Sequence, residues 1–175
     1  MIESWKKLRE RIVYDGYRKI LRKTFLLPDG REEDFDIVSG MDASFIFALT
    51  KEKKVILSRE FKPGPERVYE DLPAGFINKG ETPIDAARRE LLEETGYSGE
   101  LEYLGLHAFS PYADTKLHLF VARNCIRVSE PKCDKNEFIE VVEKSLEDFV
   151  KQVREGDLIN THLAYKALDY LGLLK

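Results

Sequence analysis

Apolar and polar positions change period several times along this chain, and each change marks an element. From Arg9 to about Val38, ERIVYDGYRKILRKTFLLPDGREEDFDIV alternates polar and apolar residues around Pro28, Asp29 and Gly30, as an antiparallel ribbon does when it reverses at a turn. SFIFALT and KKVILSREF then run β-rich on either side of a polar TKEKK turn, and the Pro- and Gly-rich KPGPER follows as a loop. LEYLGLHAF and KLHLFVARN are strand-length runs around SPYADT, and FIEVVEK adds another strand.

Between these runs the period becomes helical. Thr82 is a good N-cap, Pro83 suits the first helical position, Asp85 completes a capping box and Gly96 supplies a left-handed stop, which predicts a helix from about Pro83 to Thr95. At about 100° per residue, Ile84, Ala87, Leu91 and Thr95 share a stripe facing the sheet, and Glu90, Glu93 and Glu94 occupy an adjoining one. Two more helices close the chain: SLEDFVKQVRE, bounded by a Ser145–Asp148 capping box and Gly156, and THLAYKALDYLGLL. The order of strands, one helix, strands, then helices argues for a mixed α+β sandwich rather than a doubly wound parallel sheet.

Composition narrows the class. The 175 residues suit one domain with a small appended subdomain, and 43% hydrophobic with 34% charged residues is the balance of a soluble globular chain. No apolar run approaches the roughly 18 residues of a membrane span, and MIESWKKLRER lacks the apolar segment of a secretory signal, so a cytoplasmic location is expected. Cys125 and Cys133 read as free thiols, and His107, His118 and His162 form no close pair that would suggest zinc or haem. A net charge of −4 argues against broad nucleic-acid binding. The basic residues of the ribbon, Lys6, Lys7, Arg9, Arg11, Arg18, Lys19, Arg22 and Lys23, could meet phosphates, but their alternation with Ile20, Leu21 and Phe25 equally fits a solvated face.

The chemistry concentrates in EDLPAGFINKGETPIDAARRELLEETGY, residues 70–97. Glu90, Glu93 and Glu94 crowd within one turn, where like charges repel by a few tenths of a kcal/mol per pair and the helix C-terminus disfavours anions by about as much again. A hard divalent cation would resolve that conflict. The plainer alternative is an exposed charged face on which Arg88 and Arg89 make salt bridges to these glutamates.

Spacing decides between them. Gly75, Glu81, Arg89, Glu90, Leu91, Glu93, Glu94, Gly96 and Tyr97 match the fixed positions of the Nudix box over 23 residues, and the chain resembles the Nudix hydrolases. The resemblance implies an α/β/α sandwich with a mixed central sheet, a Nudix hydrolase domain over 41–175, and a small N-terminal antiparallel β subdomain over 1–40 that exchanges across a homodimer. It also implies Mg2+ or Mn2+ held by Glu90 and Glu94, with Glu93 assisting and the Ala74 carbonyl reaching another ion. Arg89 would pair with Glu81 to keep loop and helix in register, and Gly75 and Gly96 would serve backbone geometry, Gly75 where the chain bends into the loop.

LPAG, the Ser110–Pro111 pair and KNEFIEVVE resemble the ADP-ribose and nucleotide-sugar pyrophosphatase branch of that family, in which a nucleoside diphosphate sugar is cut into a nucleoside monophosphate and a sugar phosphate. On that resemblance Glu137 is the candidate general base, with Glu140 second and Glu93 also a catalytic candidate. Arg59, and less strongly Lys62, would touch substrate phosphates. Pro111 would line the pocket; Tyr112 stands where the branch has glycine and would stack on a base or cap the site. Hydrolysis of dinucleoside polyphosphates or RNA 5′ ends by the same site, or a sensor that binds without cleaving, are the competing functions.

Overall fold

The alternation of the N-terminal segment becomes three antiparallel strands, β1 (Lys6–Asp15), β2 (Lys19–Leu26) and β3 (Glu32–Ser39), in a sheet of that order. This is a computed structural model, and it describes residues 2–133 and 135–174. The β2–β3 reversal is made where Gly30 takes φ 85° and Asp29 Oδ1 accepts the Arg31 amide at 3.1 Å, a φ that costs little only without a Cβ. Carboxylates answer many of the ribbon's cations: Arg9 meets Glu32 at 2.7 Å, Arg22 grips Asp36 at 2.8 and 2.9 Å, and Lys23 lies 3.3 Å from Asp114. That pairing is the pattern of a solvated face.

Residues 107–117 group with this sheet, so that one compact unit is Met1–Asp42 with His107–Leu117 and the other is Ala43–Leu106 with His118–Lys175. Within the first unit the Val38 amide donates to the Tyr112 carbonyl at 2.9 Å and the Asp114 amide to the Val38 carbonyl at 3.1 Å.

In the second unit β4 (Ala43–Thr50) and β5 (Lys54–Lys62) pair beside their turn, Ala48 opposite Ile56 and Leu49 opposite Val55. Farther along, the two strands part. The chain after KPGPER fills the fork: β6 (Arg67–Asp71) runs along β5, from Arg67 opposite Lys62 to Asp71 opposite Ser58, and β7 (Ala74–Phe76) runs along β4. Neither was expected, because the prolines and glycines around them read as loop. With β8 (Tyr97–Ala108), β9 (Lys116–Arg127) and β10 (Glu140–Ser145) the mixed sheet is ordered β10-β5-β4-β9-β8.

Helices cover both faces. Ile46 and Ala48 of β4 and Ile56 of β5 pack with Ala87 and Leu91 of α1 (Pro83–Thr95). Phe47, one residue out of phase on β4 and so on the opposite face, meets Phe149 of α2 (Leu146–Glu155) at 5.6 Å, ring edge to face. The second helix is followed by α3 (Thr161–Tyr170), which buries Leu163, Ala164, Ala167 and Leu168. The three layers are the expected α/β/α sandwich, and no helix among the described residues is long and apolar enough to cross a membrane.

The bounds of α1 agree with its capping signals. Thr82 Oγ1 accepts the Asp85 amide at 3.3 Å, and Gly96 sits at φ 74° with its amide donating to Leu92 O at 2.8 Å. The phase of its buried stripe differs from the expected one. Ile84 is 37% exposed, whereas Glu94 is 5% exposed, because position 94 is seven residues from Ala87 and three from Leu91 and so returns to their side of the helix.

Leu91, fully buried at the sheet, and Leu92, 39% exposed, give a test of this docking. Leu91→Ala should lower the free energy of unfolding in urea by about 2–5 kcal/mol, and Leu92→Ala by less than about 1 kcal/mol. Equal losses would mean that α1 does not pack on this face.

Candidate active site

Helical period carries the carboxylate of Glu94 under the fork of the sheet, where two donors reach it from the two sides. Ser58 Oγ, on β5, donates to Glu94 Oε2 at 2.7 Å, and the Ala74 amide, on β7, donates to the same oxygen at 3.2 Å. The other end of α1 is fastened to β4 by Ser44 Oγ, which donates to the Pro83 carbonyl at 2.8 Å.

Arg89 binds the rest of the acidic set. Its Nε donates to Glu81 Oε1 at 2.8 Å and its Nη2 to Glu81 Oε2 and to the Phe76 carbonyl, each at 3.0 Å; its Nη1 donates to Glu90 Oε1 at 2.7 Å and to Glu93 Oε2 at 3.0 Å. One planar fork thus ties the loop after β7 to two glutamates of α1. Gly75 completes the contact in a way different from the expected bend. Its φ lies outside the left-handed region and it pairs with Ser44 in extended backbone, but a Cβ there would overlap the carboxylate of Glu90.

Burial and crowding set the electrostatics. Burial pushes the Glu94 carboxyl up to about 8, with the charges of Glu90 and Glu60 acting in the same direction and the Ser58 and Ala74 donors against it. Burial also raises Glu90, opposed by Arg89 and reinforced by the charges of Glu93 and Glu137. Glu81 is held below the ordinary carboxylate range, first by Arg89.

The loop after β9 is fastened to the end of α1. The Val128 and Ser129 amides donate to the Gly96 carbonyl at 2.9 and 3.2 Å, and the Lys132 amide donates to the Glu93 carbonyl at 2.7 Å. Gly96 is required twice, for its left-handed φ and because a Cβ would strike the Ser129 carbonyl. Farther along this loop Glu137 is exposed, and its charge is felt by both Glu90 and Cys133.

Strand alternation separates the remaining candidates. Ser58, Glu60 and Lys62 share the face of β5 that meets Glu94, and Lys62 pairs with Glu60. Arg59 points the opposite way with its cross-strand neighbours: it donates to Glu70 Oε1 from Nε at 3.0 Å and from Nη2 at 2.5 Å, and to Glu140 Oε2 at 2.9 Å. Lys144 and Gln152 extend this second network toward α2. Pro111 and Tyr112 belong to the unit built on the N-terminal sheet, where the Tyr112 amide donates to Ser110 Oγ at 3.2 Å.

Among the described residues no three His, Cys, Asp or Glu side chains converge as a ready-made metal cage. The carboxylates are engaged elsewhere, Glu90 and Glu93 by Arg89 and Glu94 by Ser58 and Ala74. Their chemistry nevertheless suits a hard divalent cation, since they are all oxygen donors and like charges are crowded against one internal counter-charge.

Residues 41–161 match the Nudix domain. The chain belongs to the Nudix family. It is a Nudix pyrophosphohydrolase, 37% identical over 150 residues to the ADP-ribose pyrophosphatase of Bacillus subtilis (strain 168), an alignment covering 84% of this chain and 80% of that protein. A methanol dehydrogenase activator of Bacillus methanolicus is 33% identical over the same shares of both chains. A crystal structure of an ADP compounds hydrolase superposes with a TM-score of 0.82 at 20% identity, covering 99% of each chain; at that identity it speaks for the Nudix fold alone.

Two residues of this Nudix site were missing from the sequence-based expectation, Ser58 and Glu60. Both lie in LSREFK, and period-2 alternation counted from Ile56 in the core would have put them on the helix-facing side of β5.

The buried carboxyl predicts a pH dependence. In the unfolded chain a glutamate titrates near its ordinary value of 4.5, and in the metal-free fold Glu94 holds its proton up to about 8. The folded state therefore binds more protons over that window, and its stability falls as pH rises through it. The Tm of chelator-treated protein should drop from about pH 5 to about pH 8 by more than that of Glu94→Gln. Parallel curves for the two proteins would remove Glu94 as the source.

Proposed function

We propose that this Nudix enzyme hydrolyses the pyrophosphate bond of ADP-ribose or a related nucleoside diphosphate sugar, giving a nucleoside monophosphate and a sugar phosphate. The observation that carries the reading is the crowding of Glu90, Glu93 and Glu94 around Arg89 and the sheet fork. The substrate class is supported by the chain's similarity to the ADP-ribose pyrophosphatase of Bacillus subtilis.

Glu90, Glu93, Glu94 and the Ala74 carbonyl would hold Mg2+ or Mn2+. Bound there, a divalent cation would offset the diphosphate charge and make the attacking water more acidic. The chain's own residues supply the rest. Arg89 keeps Glu81, Glu90 and Glu93 in register with one another. Glu137 takes the proton from the attacking water; its exposure on a loop whose charge reaches Glu90 supports that role. Glu140, which pairs with Arg59 and is 67% exposed, and Glu93 are the alternatives.

Lys62 is the better candidate for the substrate phosphates, because it shares the face of Ser58 whereas Arg59 is directed at Glu70 and Glu140. Pro111 and Tyr112 would serve the nucleoside end. The N-terminal subdomain over 1–40 would exchange across a homodimer whose hydrolase domains span 41–175; β1 is exposed along its whole length, Ile12 and Tyr14 included. A cytoplasmic location fits the two free thiols, Cys125 and Cys133.

Incubation with Mg2+ and a panel of ADP-ribose, ADP-glucose, GDP-mannose and diadenosine polyphosphates, with chromatography of the products, should show AMP and ribose 5-phosphate released preferentially from ADP-ribose. Binding of one compound with cleavage of none would make the protein a sensor. Glu137→Gln should lower turnover about 100-fold or more; retention of more than about a tenth would pass the role to Glu93 or Glu140. Lys62→Ala should raise KM about tenfold with turnover little changed, and no change in KM would remove Lys62 from the phosphate site.

A further inference from the structure

Ser58 is an unexpected residue for its position. It follows Val55, Ile56 and Leu57, all fully buried, and is itself 4% exposed. On its face of β5 the residue two before it, Ile56, belongs to the apolar core, and Val141 of β10, directly opposite Ser58, packs against the same core. An aliphatic side chain at 58 would extend that core. A buried hydroxyl instead costs free energy unless it is hydrogen-bonded.

Its hydrogen bond goes to Glu94 Oε2. The backbone of Ser58 already lies in ladders on both sides, opposite Val141 and opposite Asp71, so the strand needs nothing from the hydroxyl. The second donor to Oε2, the Ala74 amide, would be present with any residue except proline at 74. Of the two groups that hold this carboxylate, only the hydroxyl depends on which side chain the sequence supplies. Both donors meet on Oε2, leaving Glu94 to meet a cation through Oε1.

We propose that Ser58 is a positioning residue for the cation site: with the Ala74 amide it pins Oε2 of Glu94 and fixes the carboxylate so that Oε1 is presented to the divalent ion. This rests on the reading of Glu94 as a ligand given above. Partners that orient a ligand in this manner are commonly worth 10- to 100-fold in metal affinity.

The test is Mn2+ binding to chelator-treated protein, followed by the electron paramagnetic resonance signal of the free ion, for wild type, Ser58→Ala, Ser58→Thr and Glu94→Gln. Ser58→Ala should weaken Mn2+ binding about tenfold or more, and Ser58→Thr, which keeps the hydroxyl, should restore it to within a few-fold of wild type. A purely structural role for Ser58 would change the unfolding temperature and leave the Mn2+ dissociation constant alone. Should Ser58→Ala fail to fold, Ser58→Cys, close in volume with a weaker donor, carries the same comparison.

If Glu94→Gln binds Mn2+ poorly while Ser58→Ala, or Ser58→Cys in its place, binds within about twofold of wild type, the positioning role is wrong and the cation reading stands. Loss of affinity that Ser58→Thr does not restore also overturns the positioning role. If wild type does not bind Mn2+, or Glu94→Gln binds as wild type does, the cation reading falls and the role of Ser58 falls with it.

Discussion

A carboxylate buried beneath the point where two strands part is the constraint on which this structure turns. Moving such a group out of water costs several kcal/mol unless donors replace the lost solvent. Glu94 finds two in Ser58 and the Ala74 amide, which offset part of that cost and leave the rest in its raised titration. Those donors are within reach only because β4 and β5 separate and β6 and β7 fill the gap. Sheet geometry and site chemistry are therefore one problem, since closing the fork would remove the seat of the buried glutamate.

Arg89 solves the complementary problem on the half-buried flank of the same helix. Glu90 and Glu93 stand near the C-terminal end of α1, where the helix field opposes them. A single guanidinium counters both and also fixes the loop through Glu81 and the Phe76 carbonyl. A lysine would offer charge without the planar fork that joins four partners. The absence of a Cβ at Gly75 lets the Glu90 carboxylate lie against the β7 backbone, so these motif residues are linked by contact as well as by spacing.

Much of this was legible in the chain because it is written locally. Thr82, Pro83, Asp85 and Gly96 bound α1 through caps that need no tertiary information, and Ser145 with Gly156 do the same for α2. What escaped depends on partners distant in sequence. β6 and β7 exist because a fork is open to receive them, and prolines and glycines beside them mask the strand signal. The buried stripe of α1 includes a glutamate that hydrophobicity alone assigns to the outside. Arg59 and Lys62 look equivalent as basic residues near a strand end, and only the pleat directs them to opposite faces. Residues 107–117 join the N-terminal sheet through Val38 and Asp42, about seventy positions away, a distance across which local pattern carries no signal.

The bond from the Lys132 amide to the Glu93 carbonyl has a mechanical meaning. It moors the chain five residues before Glu137 to the helix that carries the acidic cluster. Five residues of chain span at most about 18 Å, which limits how far Glu137 can stand from the helix terminus. Lengthening this loop beyond Lys132 would raise that limit and shortening it would lower it, while the mooring stayed where it is. The number of residues between Lys132 and Glu137 is thus a tunable property of this fold, separate from the identity of any residue in the cluster.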